Sequence, residues 1–390
     1  MKKIAVVTAT RAEYGLLLPV IKELRKYESD GIRVELIVTG THLSTAYGMT
    51  VHEIEQSEIR IDKKIPIPVN SKTELDISNN QAEALVLFTE LFSNEKYEGV
   101  LLLGDRYETL AIAIAAGNTR TPVFHMCGGD TTEGALDEWI RHSITKISYL
   151  HFVTNEESRK RVIQLGEDPS RVFNFGSTSI DNILSFADMG KEDALKSIGL
   201  SDCNYALCTY HPVTMEEGMV DDQINAFLKA LAAFPTIQFI VTKSNADQGG
   251  ARINELLCQA EEEMQNLHVF PSLGVRRYLS LMKYAEFILG NSSSGIIETP
   301  AFHIPAINIG DRQKGRLHAG NIINCDPDSD AIIKAMQLAL SKEEKENCKN
   351  VNSPYGEGNT ANQIAKIVIK TVQKGLIDLK KKFYDLNNNE

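Results

Sequence analysis

The feature that most constrains the fold is the alternation of short, continuous apolar runs with segments of helical length. The first series of runs lies at residues 3–10, 34–39, 99–103, 122–126 and 150–154. Runs that are apolar throughout, rather than at every second position, are typical of strands buried on both faces, as in parallel sheets. Strands that alternate with helices predict an α/β protein with a doubly wound parallel sheet.

A second series of the same kind follows in the C-terminal half. Its strand-like runs lie at 205–210, 238–242, 267–270, 287–290 and 306–309. A chain of 390 residues also exceeds the size at which a single hydrophobic core keeps growing. We therefore predict two Rossmann-like domains, residues 1–180 and 181–359. A helical segment at 360–372 has an apolar face without an obvious partner in the second series, so residues 360–390 are expected to rejoin the first domain.

Charge and composition exclude several classes of function. The net charge of −11 argues against nucleic acids or anionic membranes as partners, because such interfaces need clustered lysine and arginine. The chain enters a strand directly and contains no run of about 20 apolar residues, so we expect a cytoplasmic protein. The six cysteines form no CxxC pair, which favours free thiols, and no spacing matches a compact zinc site.

Polar residues that directly follow strands are the candidates for a ligand site in such folds. After the first run, hydroxyl groups and Arg11 lie at the start of a helix, an arrangement that suits a phosphate; the alternative is an ordinary capped helix. After residues 99–103 come Asp105 and Arg106. Asp105 is a candidate general base whose pKa neighbouring charge would set, although an N-cap aspartate is the alternative.

A third cluster follows residues 122–126. Two glycines at 128 and 129 would let a ligand approach the backbone, and charged residues crowd around them. Charges at a strand end are costly unless they bind a ligand or do chemistry. The candidates in this cluster are Asp130, Glu133, Asp137 and Arg141.

The fourth cluster is a glycine- and serine-rich loop at 289–298. Backbone amides and hydroxyl groups at a helix start form an anion cradle, and Glu298 is placed to accept hydrogen bonds from ribose; a flexible serine-rich loop is the alternative. The chain lacks GxxxxGK[ST], and no GxGxxG follows the first strand, so neither ATP nor NAD is favoured. His211 and Arg312 follow two further strands of this half.

Taken together, these motifs resemble the UDP-N-acetylglucosamine 2-epimerase family, and within it the hydrolysing branch of sialic and related nonulosonic acid pathways, including the legionaminic type. The resemblance extends along nearly the whole chain. It is carried by residues 11–15, 40–43 with 47–48, 104–106, 137–138, 141–146, 164–167, 211–212, 244–247, 290–293 and 310–316.

The resemblance implies a glycosyltransferase B architecture with the active site in the cleft between two Rossmann-like domains, the first on the catalytic side and the second binding UDP. It implies no cofactor and a homo-oligomer, either dimer or tetramer. UDP would be lost from carbon-1 with the carbon-2 proton to give a glycal, and water would then add to give a free sugar of the ManNAc type. Family binding roles fall on Arg11, His42, Arg106, Asn291, Ser292, Ser293, Glu298 and Arg312, and catalytic roles on Asp105, Asp130, Glu133, Asp137, Arg141 and His211.

One position departs from the family pattern. Many members have His-Ile-Glu-Gly-Gly-Glu, whereas this chain has Cys127 at the first Glu and Asp130 at the second. A neutral thiol is a poor proton donor, so Asp130, Glu133 or Asp137 is expected to replace that Glu. The change is equally compatible with an amino sugar other than GlcNAc, such as a 6-deoxy 2,4-diacetamido one, so both UDP-GlcNAc and this analogue stay open as substrates. Three other functions stay open: a nonhydrolysing epimerase, a glycosyltransferase of the same architecture and a non-catalytic UDP-sugar-binding regulator.

Overall fold

The computed structural model describes residues 1–57, 59–70, 73–132, 137–212, 219–244, 249–375 and 377–386. They divide into two compact units. Unit 1 contains Met1–Thr131, 137–181 and 358–386, and unit 2 contains Asn182–Glu357.

Unit 1 is built on a parallel sheet of seven strands in the order β3-β2-β1-β4-β5-β6-β7. The strands are β1 (Lys2–Thr8), β2 (Ile32–Thr39), β3 (Lys63–Ile65), β4 (Gly99–Leu103), β5 (Val123–Met126), β6 (Leu150–Val153) and β7 (Val172–Asn174). Its helices are α1 (Arg11–Arg25), α2 (Val51–Gln56), α3 (Glu74–Asn94), α4 (Tyr107–Asn118), α5 (Asp137–Ile147) and α6 (Glu156–Gln164).

Unit 2 repeats the design with six parallel strands in the order β10-β9-β8-β11-β12-β13. The strands are β8 (Tyr205–Thr209), β9 (Gln238–Thr242), β10 (Leu267–Phe270), β11 (Ile288–Gly290), β12 (Ala306–Ile309) and β13 (Ile322–Cys325). The boundary between the units falls within α7 (Thr178–Phe186), and the later helices are α8 (Lys191–Lys196), α9 (Val220–Ala232), α10 (Gly250–Glu263), α11 (Gly274–Met282), α12 (Ser293–Ile297), α13 (Thr299–Phe302), α14 (Ser329–Leu340), α15 (Lys342–Cys348) and α16 (Thr360–Lys374).

The predicted doubly wound α/β class is confirmed in both units. The central strands β1, β4 and β8 are almost entirely buried, which explains why they read as continuous apolar runs. Three strands of three or four residues, β3, β7 and β13, were not predicted. They lie at sheet edges, where one side is unpaired and a continuous apolar run is not required.

The strand order reverses once in each sheet, and this reversal places the ligand crevice. The chain leaves β1 toward β2 on one side and reaches β4 on the other, and β8 stands in the same relation to β9 and β11. In open α/β sheets, ligands bind outside the carboxyl ends of the strands at such a switch point. The residues after β1 and β4, and those after β8 and β11, therefore occupy the two crevices.

The C-terminal segment packs on unit 1. Helix α16 lies against α1, and Lys2 Nζ donates hydrogen bonds to the carbonyl oxygens of Val372 (2.6 Å) and Gln373 (3.0 Å) at its end. Farther along, Lys381 Nζ lies 2.5 Å from Glu167 Oε2 and donates to the carbonyl of Ser148 (2.6 Å). These contacts tie the end of the chain to the first sheet.

Candidate active site

An ion pair between Asp105 and Arg141 dominates the crevice of unit 1. Arg141 donates from Nε to Asp105 Oδ2 (2.7 Å) and from Nη2 to the same oxygen. The Arg141 side chain is 1 % exposed and that of Asp105 is 25 % exposed. The N-cap residue of α4 is Arg106, so Asp105 precedes the cap. Its side chain instead contacts Arg141 on α5. The carboxylate of Asp105 is therefore accessible to solvent, while the guanidinium that holds it is buried.

Arg141 is held in place by two further acceptors. Its Nη1 donates to the carbonyl oxygen of Asp130 (2.9 Å) and to Glu138 Oε2 (3.1 Å). Glu138 Oε1 in turn lies 3.1 Å from His142 Nε2. Burial opposes the positive charge of Arg141, but the charge and hydrogen bonds of Asp105 outweigh it and raise the pKa of the guanidinium. Arg141 therefore stays charged and rigid.

The other predicted acids of this unit are placed differently. Asp130 is buried, and its Oδ1 accepts hydrogen bonds from Thr154 Oγ1 (3.1 Å) and Ser158 Oγ (2.6 Å). Asp130 thus supports Arg141 through its backbone while its carboxylate anchors the neighbouring strand and helix. Asp137 begins α5 and is exposed. Glu133 lies outside the described residues.

The turn that departs from the family pattern has an unusual backbone. Cys127 has φ = 64°, in the left-handed region that is uncommon for a residue with a Cβ. Gly129 also has positive φ, and a Cβ there would lie 2.3 Å from the carbonyl oxygen of Ser158. His125 Nε2 lies 2.8 Å from the carbonyl oxygen of Gly104. Gly129 is therefore packed tightly against α6, and His125 contacts Gly104, the residue before Asp105.

The predicted binding residues Arg11 and His42 follow the neighbouring strands β1 and β2. Thr10 caps α1 by accepting a hydrogen bond from the Glu13 amide (3.3 Å), so this helix begins at Arg11. Arg11 is half-exposed and lies 3.9 Å from Glu53. His42 is fully buried, and its ring nitrogens lie 3.0 Å from Thr8 Oγ1 and 2.8 Å from Thr50 Oγ1. Burial lowers the His42 pKa to about 4, so the ring is neutral at physiological pH.

In unit 2, Asn291 joins the ends of three strands. Its Oδ1 accepts from the His211 amide (2.7 Å), and its Nδ2 donates to the His211 carbonyl (2.8 Å). The Asn291 carbonyl accepts from Arg312 Nη1 (3.1 Å) and Gln313 Nε2 (2.9 Å). His211, Asn291 and Arg312 are therefore brought together after β8, β11 and β12. Gln313 lies within the family motif at residues 310–316, but the sequence gave no reason to assign it a role.

The loop after β11 depends on a close approach of two strands. Gly290 has φ = 142°, and a Cβ there would lie 1.9 Å from the carbonyl oxygen of Thr209. Ser292 then caps α12 by accepting from the Ser294 amide (3.4 Å). Ser293 is the first residue of that helix, and Glu298 accepts a hydrogen bond from Ser294 Oγ (2.5 Å). Serine hydroxyls and helix-start amides thus converge at the switch point of unit 2.

His211 completes this edge of unit 2. Its Nδ1 lies 3.2 Å from Ser244 Oγ, and its side chain is partly exposed. A pocket beside the loop is lined by Thr209, Tyr278, Gly290, Ser292 and Asn308. Tyr278 and Asn308 were not predicted as site residues, because nothing in their local sequence distinguishes them from ordinary core and strand positions. Within the described residues, no group of three or more His, Cys, Asp or Glu side chains is arranged to hold a metal ion.

Comparison with known proteins identifies the family of this chain. The sequence profile of UDP-N-acetylglucosamine 2-epimerase matches residues 23–369. The chain belongs to the UDP-N-acetylglucosamine 2-epimerase family. It is 42 % identical over 389 residues to the GDP/UDP-N,N'-diacetylbacillosamine 2-epimerase (hydrolyzing) of Campylobacter jejuni, with 99 % of each chain covered. It is 34 % identical to the UDP-N,N'-diacetylbacillosamine 2-epimerase (hydrolyzing) of Legionella pneumophila, covering 95 % of this chain and 96 % of that one. The resemblance to the hydrolysing branch of the family is confirmed.

Solved structures agree with this 2-epimerase fold. A UDP-N-acetylglucosamine 2-epimerase structure from Listeria monocytogenes aligns with a TM-score of 0.82 at 18 % identity and covers 98 % of this chain and 99 % of that chain. At that identity the likeness concerns the fold. None of the helices in the described part of this 2-epimerase family member combines the length and hydropathy that a membrane-spanning helix needs.

Proposed function

We propose that this 2-epimerase acts on UDP-N,N'-diacetylbacillosamine, a nucleotide sugar with a 6-deoxy 2,4-diacetamido hexose, and releases UDP and the free sugar inverted at carbon-2. The names of the Campylobacter and Legionella relatives support this substrate, at 42 % and 34 % identity. Cys127 supports it as well, because a thiol replaces a charged carboxyl beside the expected hexose position. The observation that carries the chemistry is the Asp105–Arg141 pair.

In the first step, the carboxylate of Asp105 accepts the carbon-2 proton of the hexose. The electron pair of the C2–H bond forms a double bond between carbon-1 and carbon-2, and the carbon-1–oxygen bond breaks so that UDP leaves with its electron pair. Arg141 holds one oxygen of Asp105 through Nε and Nη2, which fixes the direction of the carboxylate. A base held at a defined position provides the proximity that proton abstraction needs.

In the second step, water adds to the glycal, giving a hydroxyl group on carbon-1 and a proton on carbon-2 from the opposite face. An acid must supply that proton. Asp130 is buried and its Oδ1 accepts hydrogen bonds from Thr154 and Ser158, which favours Asp137 or Glu133 for this role. Asp137 is exposed at the start of α5. We assign the proton donor to this pair of acids and a supporting role to Asp130.

We assign the nucleotide to the loop of unit 2, and we give Arg11 and Arg106 of unit 1 the substrate-binding role that the family resemblance implied. Serine hydroxyls and amides of the loop suit a diphosphate, and Glu298 suits the ribose hydroxyls once Ser294 releases it. His211, Asn291 and Arg312 share one hydrogen-bonded group beside this loop and would contact the leaving UDP. The proposal includes no cofactor. It retains the cytoplasmic location expected from the sequence and the homo-oligomer that the family resemblance implied.

A second candidate is the same reaction on UDP-GlcNAc. It is supported by 30 % identity over 387 residues to a protein named UDP-N-acetylglucosamine 2-epimerase from Neisseria meningitidis serogroup B. It is also supported by 38 % identity to polysialic acid biosynthesis protein P7 of Escherichia coli. The chemistry at carbon-1 and carbon-2 would be identical, so the two candidates differ only in the groups at carbon-4 and carbon-6.

Proton NMR in deuterated water separates these candidates. The enzyme is incubated with UDP-N,N'-diacetylbacillosamine, its GDP counterpart and UDP-GlcNAc in parallel, and free sugar, nucleoside diphosphate and deuterium at carbon-2 are followed. We expect a deuterated, manno-configured free sugar from the diacetamido substrate at the highest kcat/KM. A higher kcat/KM with UDP-GlcNAc would select the second candidate. A product that keeps its nucleotide would refute hydrolysis.

A further inference from the structure

Two buried glutamates lie beside Arg106, outside the set of residues that the mechanism uses. Glu13 is in the first turn of α1, and its Oε2 accepts a hydrogen bond from the Ala9 amide (2.9 Å). Glu13 is 7 % exposed, and its Oε1 has no hydrogen-bond partner among the described residues. A buried carboxylate oxygen without a donor is costly, so this group calls for a proton or a cation.

Glu108 presents the same problem from the neighbouring helix. It lies in the first turn of α4 and is 1 % exposed. Its Oε1 accepts from Arg106 Nε (2.7 Å), whereas its Oε2 is buried and unpaired within the described chain. Strands β1 and β4 are hydrogen-bonded neighbours, so the helix starts that follow them adjoin. Two carboxyl groups and one guanidinium therefore share this corner of unit 1.

Arg106 is oriented by this corner. Its Nε is occupied by Glu108, and in the described residues its terminal Nη groups form no hydrogen bond. The side chain is 41 % exposed, which leaves the fork of the guanidinium accessible to an anion. The negative charge of Glu108, reinforced by Glu13, raises the pKa of Arg106 despite its partial burial.

The other charged and titratable groups near this corner have partners elsewhere or stay neutral. His42 is buried and bonded at both ring nitrogens, and Arg11 lies against Glu53. Asp105 is paired with Arg141. Burial raises the pKa of Tyr107, so its hydroxyl is neutral around pH 8. The charge that acts on Glu13 is thus that of Glu108 and Arg106.

We propose that Glu13 keeps a proton on its carboxyl group beside Glu108, and that both glutamates are positioning residues that set the charge around Arg106, the cation that meets the anionic nucleotide sugar. The role of Arg106 rests on the proposed function, whereas the proton on Glu13 does not. With one proton, the three side chains sum to zero charge and Arg106 attracts the diphosphate. Without it, their sum is −1, and the additional buried negative charge repels the same anion.

The direction of titration agrees with this arrangement. Burial, reinforced by the charge of Glu108, raises the pKa of Glu13 to about 8. Proton loss therefore begins just above neutral pH and weakens binding of the anionic substrate as pH rises. Because Asp105 is unchanged by this titration in the proposal, we expect the effect in KM and in the dissociation constant of UDP rather than in kcat.

Infrared difference spectroscopy tests the proton independently of turnover. At pH 7 the wild-type protein should show the carbonyl stretch of a buried neutral carboxyl group, which disappears on titration to pH 10. Glu13→Gln should lose it. Glu108→Gln should also lose it, because Glu13 would then ionise as the partner of Arg106. Glu157→Gln, which removes an exposed carboxylate from α6, should leave it unchanged. Retention of the full band in Glu13→Gln would show that Glu13 does not carry the proton, and retention in Glu108→Gln would show that Glu108 does not influence it; either result would overturn the proposal.

The effect on substrate binding is measured as KM and as UDP affinity by calorimetry between pH 7 and 9. Binding by the wild-type protein should weaken up to about tenfold over this range, as expected when one ionisation changes the charge of a site. Binding by Glu13→Gln should change by no more than about twofold. An equal pH dependence in both proteins would refute the proposed role. If wild type released no UDP from any nucleotide sugar, the proposed function would fail, but the infrared result would still decide whether the proton exists.

Discussion

Arg141 Nε and Nη2 both point to one oxygen of Asp105, Oδ2, although the two residues lie 36 positions apart. The guanidinium is buried, and its remaining donor Nη1 is held by the Asp130 carbonyl and by Glu138. The direction of the Asp105 carboxylate is therefore set by a rigid group. This relationship is the basis of the first two predictions.

Replacing Asp105 by Asn should abolish turnover while UDP still binds. The amide keeps the shape of the side chain but cannot accept the carbon-2 proton, so kcat should fall by about 10²–10⁴-fold. UDP affinity, measured by calorimetry, should change little. Turnover at the wild-type rate would show that another group is the base.

Arg141→Lys should lower kcat although it conserves the charge. A lysine ammonium is a point charge and cannot reproduce the fork that holds Asp105, the Asp130 carbonyl and Glu138 together. We expect a fall in kcat of roughly 10–100-fold, as is typical when a catalytic group loses its orientation. Arg252→Lys, on the exposed face of α10, serves as the control. Equal kcat in the two variants would contradict the positioning role.

Gly290→Ala should destabilise the protein and weaken UDP binding. The new Cβ would lie 1.9 Å from the Thr209 carbonyl, so β8 and β11 must separate. We expect a loss of about 2–4 kcal/mol in the free energy of unfolding, measured by urea titration. Gly295→Ala is a matched control in the same loop region, because its Cβ would meet only Ile288 at an ordinary 3.7 Å. Similar stability of both variants would show that the strands can separate without cost.

Cys127→Ser should retain kcat within about threefold of wild type, because a neutral thiol is a poor acid and the proposal assigns the proton to Asp137 or Glu133. The measurement is UDP release at saturating substrate. Cys127→Ala controls for the loss of the polar atom. A loss of about a hundredfold in both variants would give the sulfur a chemical role.

Glu13→Gln should stabilise the folded protein, and more so as pH rises. The pKa of Glu13 is raised to about 8, so the unfolded chain releases this proton from about pH 4.5 while the folded chain keeps it. Stability of the wild type is therefore lost across this window, whereas Gln does not titrate. We expect a gain on the order of a few kcal/mol at pH 8 and little at pH 4.5, measured by urea unfolding. A gain independent of pH would rule out this titration as its cause.

Much of the architecture could be predicted from the sequence because the central strands are buried on both faces. Strand β4 was predicted with its observed bounds, and β1, β2 and β8 were predicted to within a few residues. The edge strand β3 was missed, since it has three residues, two of them lysines. Its position depends on pairing with β2, which local sequence does not encode.

For the candidate site, the sequence likewise indicated some of the residues but not the contacts between them. Sequence patterns alone singled out Asp105, Arg141, His211 and Arg312 in the polar clusters that follow strands, and the family resemblance added Asn291. Their pairings needed the folded chain, since Asn291 meets the backbone of His211 across 80 positions. Glu13 was passed over because acidic residues in a first helical turn are common.

By itself, the sequence determined the α/β class, the positions of the glycines and the polar residues that follow several strands. These properties follow from local periodicity and from the absence or presence of a side chain. Only the tertiary structure decided which charges are paired, which carboxyl oxygens are buried and where a proton must be held. Desolvation and Coulomb interactions act through space between residues that are distant along the chain, so they exist only after the sheet has ordered its strands.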